Sequence, residues 1–185
     1  PQIFLVIFVL GLIVQFFFST TLMTFSAVAT LCVLNWIYAS ATGTYFFVVT
    51  NIPAPVFLGL HLLVTDPATS PRTSTGKVIF GTLYGLLTFG CYGLLTAIGA
   101  PAVYDKLLPI PLLNLLVKGI HPVSAIAALG AFDRLYALQP RRANLLAMGG
   151  WATLFVGLLT SGYVQGPHEG TTFEFWRTAC EEGRH

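Results

Sequence analysis

The chain has 185 residues, of which 55% are apolar and only 9% are charged, and its formal net charge is +2. Soluble domains carry roughly one-quarter charged residues, so this composition excludes an ordinary water-soluble domain and predicts a protein embedded mainly in lipid. The small net charge and the scattered basic residues also exclude binding to nucleic acid through phosphate neutralisation.

The first part of the chain is an uncharged run that ends at Asp66, the first charged residue. A run of this length holds about three membrane crossings at ~20 residues each. Apolar spans are predicted at residues 3–18, 21–38, 45–64, 78–98, 107–132 and 143–163. The joint at Ser19-Thr20-Thr21 is uncharged, so the first two spans are either separate or one long bent helix. The expected number of helices is therefore five or six.

The two ends of the chain differ in character. The chain starts at Pro1 without the basic leader of a signal peptide, which predicts that residues 1–164 are a fragment of a longer transmembrane domain. Residues 165–185 form a polar C-terminal tail with a helix-start pattern at Thr171 and Glu174. Aromatic residues in this tail are predicted to dock it on the membrane surface, namely Phe173, Phe175 and Trp176.

Prolines interrupt two of the predicted spans. One interruption is Asn51-Ile52-Pro53-Ala54-Pro55, and the other combines Pro109-Ile110-Pro111 with His121-Pro122. Proline removes a backbone donor and clashes with the preceding turn, so both clusters predict broken or kinked helices. Broken helices at membrane depth often mark a binding site, whereas the alternative is an ordinary proline kink.

Small residues line one face of the span from Val78 to Ile98. Gly81 and Gly85 form a small-x-x-x-small pattern, and Gly93 follows two turns later on roughly the same face. This stripe predicts close approach of another helix, and the alternative is a flat cofactor that lies against bare backbone.

Basic residues are concentrated in two of the predicted loops, 65–77 and 133–142. The first contains Arg72 and Lys77, and the second contains Arg134, Arg141 and Arg142. If residues 107–132 cross the membrane once, these loops share one side, and the excess of basic residues predicts that this side is cytoplasmic.

The most informative segment runs from Thr65 to Lys77, with the sequence TDPATSPRTSTGK. A carboxylate at the bilayer centre costs on the order of 3 kcal/mol, so Asp66 is expected at a membrane boundary or in a polar pocket. The hydroxyl groups of the segment are able to bind the polar edge of a ring system, and the prolines hold its backbone extended. The alternative is a solvated turn that caps the next helix.

This segment carries a resemblance to a known family. The order Thr-Asp-Pro-Ala-Thr-Ser-Pro, then Thr-Gly-Lys and a glycine-rich apolar helix, resembles the hallmark region of the RnfD/NqrB family. Members of this family are integral membrane components of the Rnf electron transport complex and of the sodium-translocating NADH:quinone reductase. The later segments Leu112 to Leu116 and Phe132-Asp133-Arg134 are weaker matches, and the resemblance covers roughly residues 50 to 135.

The resemblance implies an all-α, polytopic helical membrane protein with broken helices and a urea-transporter-like fold. It implies flavin, either FMN or riboflavin, and a role in a complex that couples electron transfer to the movement of sodium ions or protons. Other membrane subunits of that redox complex would then be its partners, in a bacterial inner membrane. The matching positions are expected near the flavin, and they are Thr65, Asp66, Pro67, Thr69, Ser70, Pro71, Gly76 and Lys77.

One feature of the family is missing from the chain. The family commonly attaches FMN to a threonine in a Ser-Gly-Ala-Thr type motif, and no such motif occurs. Residues 40–44 resemble this motif only weakly, so covalent FMN is not assigned to Thr42 or Thr44.

The remaining ionisable residues suggest no independent catalytic site. His61 precedes Thr65 by one helical turn, which places it either at the membrane interface or in a proton-sensitive pocket with Asp66. The three cysteines have no metal-like spacing, and no nucleophile motif is present. We therefore expect a subunit of a redox-driven ion translocase that is not an enzyme by itself. The alternatives are a redox-inactive transporter or channel-like protein and a structural scaffold.

Overall fold

The computed structural model describes residues 2–47, 51–63, 70–100, 107–124, 133, 134, 136, 140–163 and 169–183, with residues 63 and 117–124 described by backbone alone. All regular structure in these ranges is helical. The α-helices are α1 (Gln2–Phe18), α2 (Thr21–Thr42), α3 (Ala54–Leu58), α4 (Ser74–Ala97), α5 (Pro109–Ser124), α6 (Pro140–Thr160) and α7 (Phe173–Glu181). A π-helix at Gly59–Leu63 extends α3, and a short 3-10 helix at Glu169–Thr171 precedes α7.

Three of the described helices are long and apolar enough to cross a membrane, namely α2, α4 and α6. Helix α1 is apolar but shorter, and its outward face exposes large residues such as Phe17, at 72%, to the surroundings. The all-helical class is therefore confirmed for the described residues, and three of their helices have the length and composition of membrane spans. The five or six crossings and the urea-transporter-like fold stay predictions.

The joint between α1 and α2 is a sharp turn, so the prediction of one long helix is wrong. Ser19 adopts φ +52°, a left-handed conformation that stops the helix, and its amide donates to the Gln15 carbonyl oxygen at 2.9 Å. Asn144 of α6 donates its side-chain Nδ2 to the same carbonyl oxygen at 3.1 Å. The side chain of Thr21, in turn, donates to Asn144 Oδ1 at 3.0 Å. These bonds hold the joint against the first turn of α6.

Helices α2 and α4 run parallel and touch backbone to backbone. A Cβ atom added at Gly81 would lie 2.2 Å from the Met23 carbonyl oxygen and 2.1 Å from Ser26 Oγ. At Gly85 it would lie 2.9 Å from the Ala27 carbonyl oxygen. The small-residue stripe therefore packs two helices together, as the first of its two interpretations predicted. Both helices begin at the same end of the bundle, which we call the Ser74 end. Both finish at the opposite end, which we call the Thr42 end.

The predicted span at 45–64 is helical only in its second part, from Ala54 to Leu63. The chain leaves α2 at Gly43, which has φ +66°, and the described residues 44–47 and 51–53 form an irregular segment before α3. Pro53 and Pro55 prevent an earlier start, because neither residue has an amide hydrogen for the helix. The side chain of Asn35 donates to the Asn51 carbonyl oxygen. Since Asn35 lies two turns inside α2, this irregular segment dips about 10 Å into the bundle. The break predicted here is confirmed.

The break predicted at Pro109 and Pro111 is wrong. Both prolines lie in the first turn of α5, where backbone amides have no partner within the helix in any case. The prolines therefore begin the helix instead of interrupting it. The backbone of α5 also continues through positions 121 and 122.

His61 is fully buried against other parts of the protein in the π-helix, and its position relative to a membrane interface stays a prediction. Its Nδ1–H donates to the Phe57 carbonyl oxygen at 2.9 Å. Its ring lies 5.3 Å from that of Trp151. A Cβ atom added at Gly11 would lie 2.6 Å from His61 Cδ2, so the histidine fills the notch that this glycine leaves in α1. Asp66, its predicted partner, lies outside the described residues.

The tail helix starts one residue later than predicted, since Thr172 and not Thr171 caps it by accepting from the Phe175 amide at 3.4 Å. Phe175 packs against Tyr45 with ring centroids 5.4 Å apart, and the Trp176 indole N–H donates to the Gly170 carbonyl oxygen. These two aromatic residues therefore contact protein. Docking on the membrane surface stays a prediction, and Phe173, which is 79% exposed, is the residue available for it.

Candidate functional site

The structure describes part of the predicted flavin segment. Ser70, Pro71, Gly76 and Lys77 lie within the described residues. Pro71 and Gly76 are buried, and Ser70 and Lys77 are half-buried. The other predicted positions lie outside the described residues, and they are Thr65, Asp66, Pro67 and Thr69.

The described part of the segment forms the start of α4. Thr73 is the N-cap, and its hydroxyl oxygen accepts from the Gly76 amide at 3.0 Å. The Thr75 amide donates to Asp133 Oδ1 at 2.8 Å, a bond to a residue 58 positions later in the chain. The negative carboxylate lies at the positive end of the helix dipole, which stabilises the charge. Helix α4 is therefore capped once by its own segment and once by Asp133, a helical residue that precedes α6 in the chain.

Lys77 links the same segment to the joint between α1 and α2. Its Nζ donates to the Ser19 carbonyl oxygen at 2.9 Å. This carbonyl lies just beyond the C-terminus of α1, where the helix dipole favours a cation. Gly76 and Lys77 thus have clear structural roles at the Ser74 end of the bundle.

These contacts surround a cavity of about 380 Å³. Its walls come from three separated parts of the chain, which are the α1–α2 joint, the segment at the start of α4 and the helical residues that precede and begin α6. The lining residues are Ser19, Arg72, Thr73, Ser74, Lys77, Asp133, Tyr136 and Pro140. The two basic loops predicted to share one side therefore do meet at one end of the bundle.

The cavity combines cationic groups with neutral hydrogen-bonding groups. Arg72 is exposed at its edge, and the Lys77 ammonium lies inside. Burial raises the pKa of the Tyr136 hydroxyl, so this group stays protonated at neutral pH. The Asp133 carboxylate is turned toward the Thr75 amide, which reduces its effect on an anion in the cavity. The arrangement suits a polar ligand that gains negative charge.

Three of the residues that line this cavity were not predicted as site residues from the sequence, namely Ser19, Asp133 and Tyr136. Asp133 belonged to a motif that the resemblance already singled out, so its signal was present but weak. Ser19 and Tyr136 gave no signal, because their positions depend on how distant helices pack.

The described residues contain no group of three or more His, Cys, Asp or Glu side chains that is able to hold a metal ion. Among the described residues, Cys32, Cys91 and Cys180 form no disulfide bond, and Cys180 is exposed.

Replacement of Asp133 with alanine is expected to destabilise the first turn of α4 by about 1 kcal/mol, the usual cost of a lost N-terminal cap. Hydrogen exchange at the start of α4 measures this loss, and faster exchange is expected in Asp133→Ala. Asp133→Asn retains an acceptor oxygen and should exchange nearly as slowly as the unmodified protein. Equal exchange rates in all three proteins would show that the bond to Thr75 contributes nothing.

Comparisons with known proteins leave the family open. No family model, no curated protein and no solved structure matches the chain. Membership of the RnfD/NqrB family therefore stays a prediction that rests on the residues from Thr65 to Lys77.

Proposed function

We propose that this protein is a membrane subunit of an ion-translocating electron-transfer complex of the Rnf/Nqr type, and that the cavity at the Ser74 end holds a flavin. The observation that carries the proposal is the composition of this cavity. Arg72 and Lys77, which belong to the segment that resembles the family's hallmark, line it together with hydroxyl groups.

The residues present fit the polar edge of a flavin ring. The cavity volume of about 380 Å³ lies within the usual range for small-molecule sites, roughly 300–1,000 Å³. Thr73, Ser74 and Tyr136 supply hydroxyl groups that donate and accept hydrogen bonds with the ring's carbonyl and imide groups. Arg72 and Lys77 supply the positive charge that stabilises a reduced, anionic ring.

A bound flavin would supply the chemistry of electron transfer. The protein residues bind and orient the ring, and they tune its charge. Since Lys77 also bonds to Ser19, a change of charge in the cavity acts directly on the contact between α4 and the α1–α2 joint. This contact is a candidate link between electron transfer and the movement of an ion.

The orientation proposed from the sequence follows the basic residues. Arg72, Lys77, Arg141 and Arg142 lie at the starts of α4 and α6, which are at the same end of the bundle. By the excess of positive charge, we propose that the Ser74 end faces the cytoplasm of a bacterial cell.

Flavin content tests the proposal. The full-length protein, purified from membranes, is expected to retain flavin that is visible by absorbance and fluorescence. Arg72→Gln should weaken the binding of added riboflavin about tenfold, because a charge-assisted hydrogen bond is lost. Arg177→Gln is the matched control, since Arg177 lies on α7, is exposed and pairs only weakly with Glu181 at 3.9 Å.

A protein without flavin would favour the alternative function, a redox-inactive transporter or channel-like protein. A protein that is colourless, does not bind added flavin and conducts solute in vesicles would contradict the proposal. The irregular segment that ends at Pro53 would then be the feature to examine, because broken helices also line solute pathways.

A further inference from the structure

A second cavity lies at the other end of the bundle, where the irregular segment dips in beside α2. Its volume is about 290 Å³. It is lined by Asn35, Trp36 and Ala39 of α2, by Tyr45, Phe46, Phe47 and Asn51 of the irregular segment, and by Tyr163 after α6. None of these residues belongs to the cavity at the Ser74 end.

The side-chain amide nitrogens of the two asparagines in this cavity both donate hydrogen bonds to backbone carbonyl oxygens. Asn35 Nδ2 donates to the Asn51 carbonyl oxygen, and Asn51 Nδ2 donates to the Tyr163 carbonyl oxygen at 3.2 Å. Because a carbonyl oxygen only accepts, the nitrogen must face the carbonyl in both cases. The carboxamide oxygens are therefore the atoms that remain. In the described part of the chain, no hydrogen bond is donated to either of them.

Carboxamide oxygens of this kind determine the polarity of a ligand. Asn35 is only 7% exposed, so its oxygen lies in a site that is largely closed to bulk water. Neither asparagine oxygen is among the completely buried side-chain atoms that lack a partner in the described part of the chain, so both are accessible from the cavity. A ligand that offers an O–H or N–H group is able to donate to such an oxygen, whereas a ligand with acceptors only is not.

The remaining walls are aromatic and determine the ligand's shape. Phe46 stacks on Phe89 of α4 with ring centroids 3.6 Å apart, and Phe47 packs edge-on against Tyr92 at 4.7 Å. These contacts hold the two phenylalanines in place from behind. Trp36 is 71% exposed and leaves the cavity open on the outer face of α2. A flat ring that arrives from lipid would pass this side chain.

We propose that this cavity is a binding site for a planar aromatic molecule that carries at least one O–H or N–H donor, of the phenol or aromatic-amine class. The ring lies among Trp36, Phe46 and Phe47, and its donor bonds to the carboxamide oxygen of Asn35 or Asn51. The site is independent of the flavin proposal, because the two cavities lie at opposite ends of the bundle and share no residue.

A pair of probes that differ by one hydroxyl group tests the proposal, namely 1-naphthol and naphthalene. Binding to the full-length protein in lipid nanodiscs is followed by quenching of tryptophan fluorescence. Saturable quenching by 1-naphthol is expected, and naphthalene should bind about tenfold more weakly, because it offers no donor to the asparagine oxygens. Trp36→Phe should remove most of the quenching signal.

A space-filling variant locates the probe. Ala39→Leu places a larger side chain in the cavity while leaving both asparagines in the sequence, and it is expected to abolish saturable quenching. Ala29→Leu is the matched control, because Ala29 lies on the same helix but lines a different, open groove against α4. This variant should bind 1-naphthol normally.

Two results would overturn the proposal. Equal affinity for naphthalene and 1-naphthol in the unmodified protein would remove the role of the asparagine oxygens, and this comparison does not depend on any variant folding. Quenching that does not saturate, or that is the same in Ala39→Leu as in Ala29→Leu, would show only that the probes dissolve in lipid. Neither result would bear on flavin content, which tests the cavity at the Ser74 end.

Discussion

Gly81→Leu is expected to separate α2 from α4 and to destabilise the protein by about 3 kcal/mol or more, the upper part of the range for overpacked cores. Already the first atom of the new side chain would overlap the Met23 carbonyl oxygen at 2.2 Å. This oxygen belongs to helix backbone and cannot rotate away as a side chain can. Met23 is also fully buried, so α2 has no free space into which to shift.

A matched control lies on the same helix. Gly90 has no heavy atom within 4 Å of an added Cβ and is exposed, so Gly90→Leu makes the same chemical change without a clash. Thermal unfolding in detergent, followed by circular dichroism, compares the two. A large fall in the unfolding temperature is expected for Gly81→Leu only. Similar temperatures for both variants would mean that α2 and α4 do not pack at Gly81 as described.

Asn35→Leu is expected to release the irregular segment between α2 and α3 from the bundle and to cost about 2–3 kcal/mol. The substitution leaves the Asn51 carbonyl oxygen without its donor. An unpaired carbonyl costs about 1–3 kcal/mol in a protein interior, and lipid offers no water to replace the lost bond. Asn51 also holds Tyr163 at 3.2 Å, so the loss should extend to the end of α6.

Limited proteolysis of the protein in nanodiscs measures this release. New cleavage between residues 43 and 53 is expected in Asn35→Leu, because the segment no longer stays inside the bundle. Ser40→Leu is the control, since Ser40 is exposed on the same helix and bonds only to the Trp36 carbonyl oxygen of its own helix. Resistance to proteolysis in Asn35→Leu would show that Pro53 and Pro55 alone keep the segment in place.

The fold could be predicted from the sequence where the pattern is local. The start of α2 at Thr21 and the packing role of Gly81 both follow from a few neighbouring residues. The proline clusters show the limit of such reasoning. Pro53 and Pro109 both lie at the start of a helix, but the chain just before Pro53 is held inside the bundle by the bond from Asn35 to the Asn51 carbonyl oxygen. Asn35 is distant in sequence and gives no local signal.

The candidate site shows the same limit. The segment from Thr65 to Lys77 was identified because its composition is unusual. Its residues Arg72, Thr73, Ser74 and Lys77 line a polar cavity, whereas Ser70, Pro71 and Gly76 are not among the lining residues. Its partners Ser19 and Asp133 belong to other parts of the chain, and each contacts the segment from 58 positions away. His61 was expected at the interface or in a pocket with Asp66, because it precedes Thr65 by one helical turn. The notch at Gly11 that receives its ring is visible only after α1 packs on α3 and the π-helix.

The backbone contact at Gly81 has a consequence for motion. Two helices that interlock at a carbonyl oxygen and a missing Cβ cannot slide along each other without first moving apart, so α2 and α4 form one rigid unit. The π-helix beside Gly11 and the lysine bridge from α4 to Ser19 are held by side chains, which rearrange more easily. If the protein changes between two conformations, we expect α1 and the short α3 segment to move relative to a stationary α2–α4 pair.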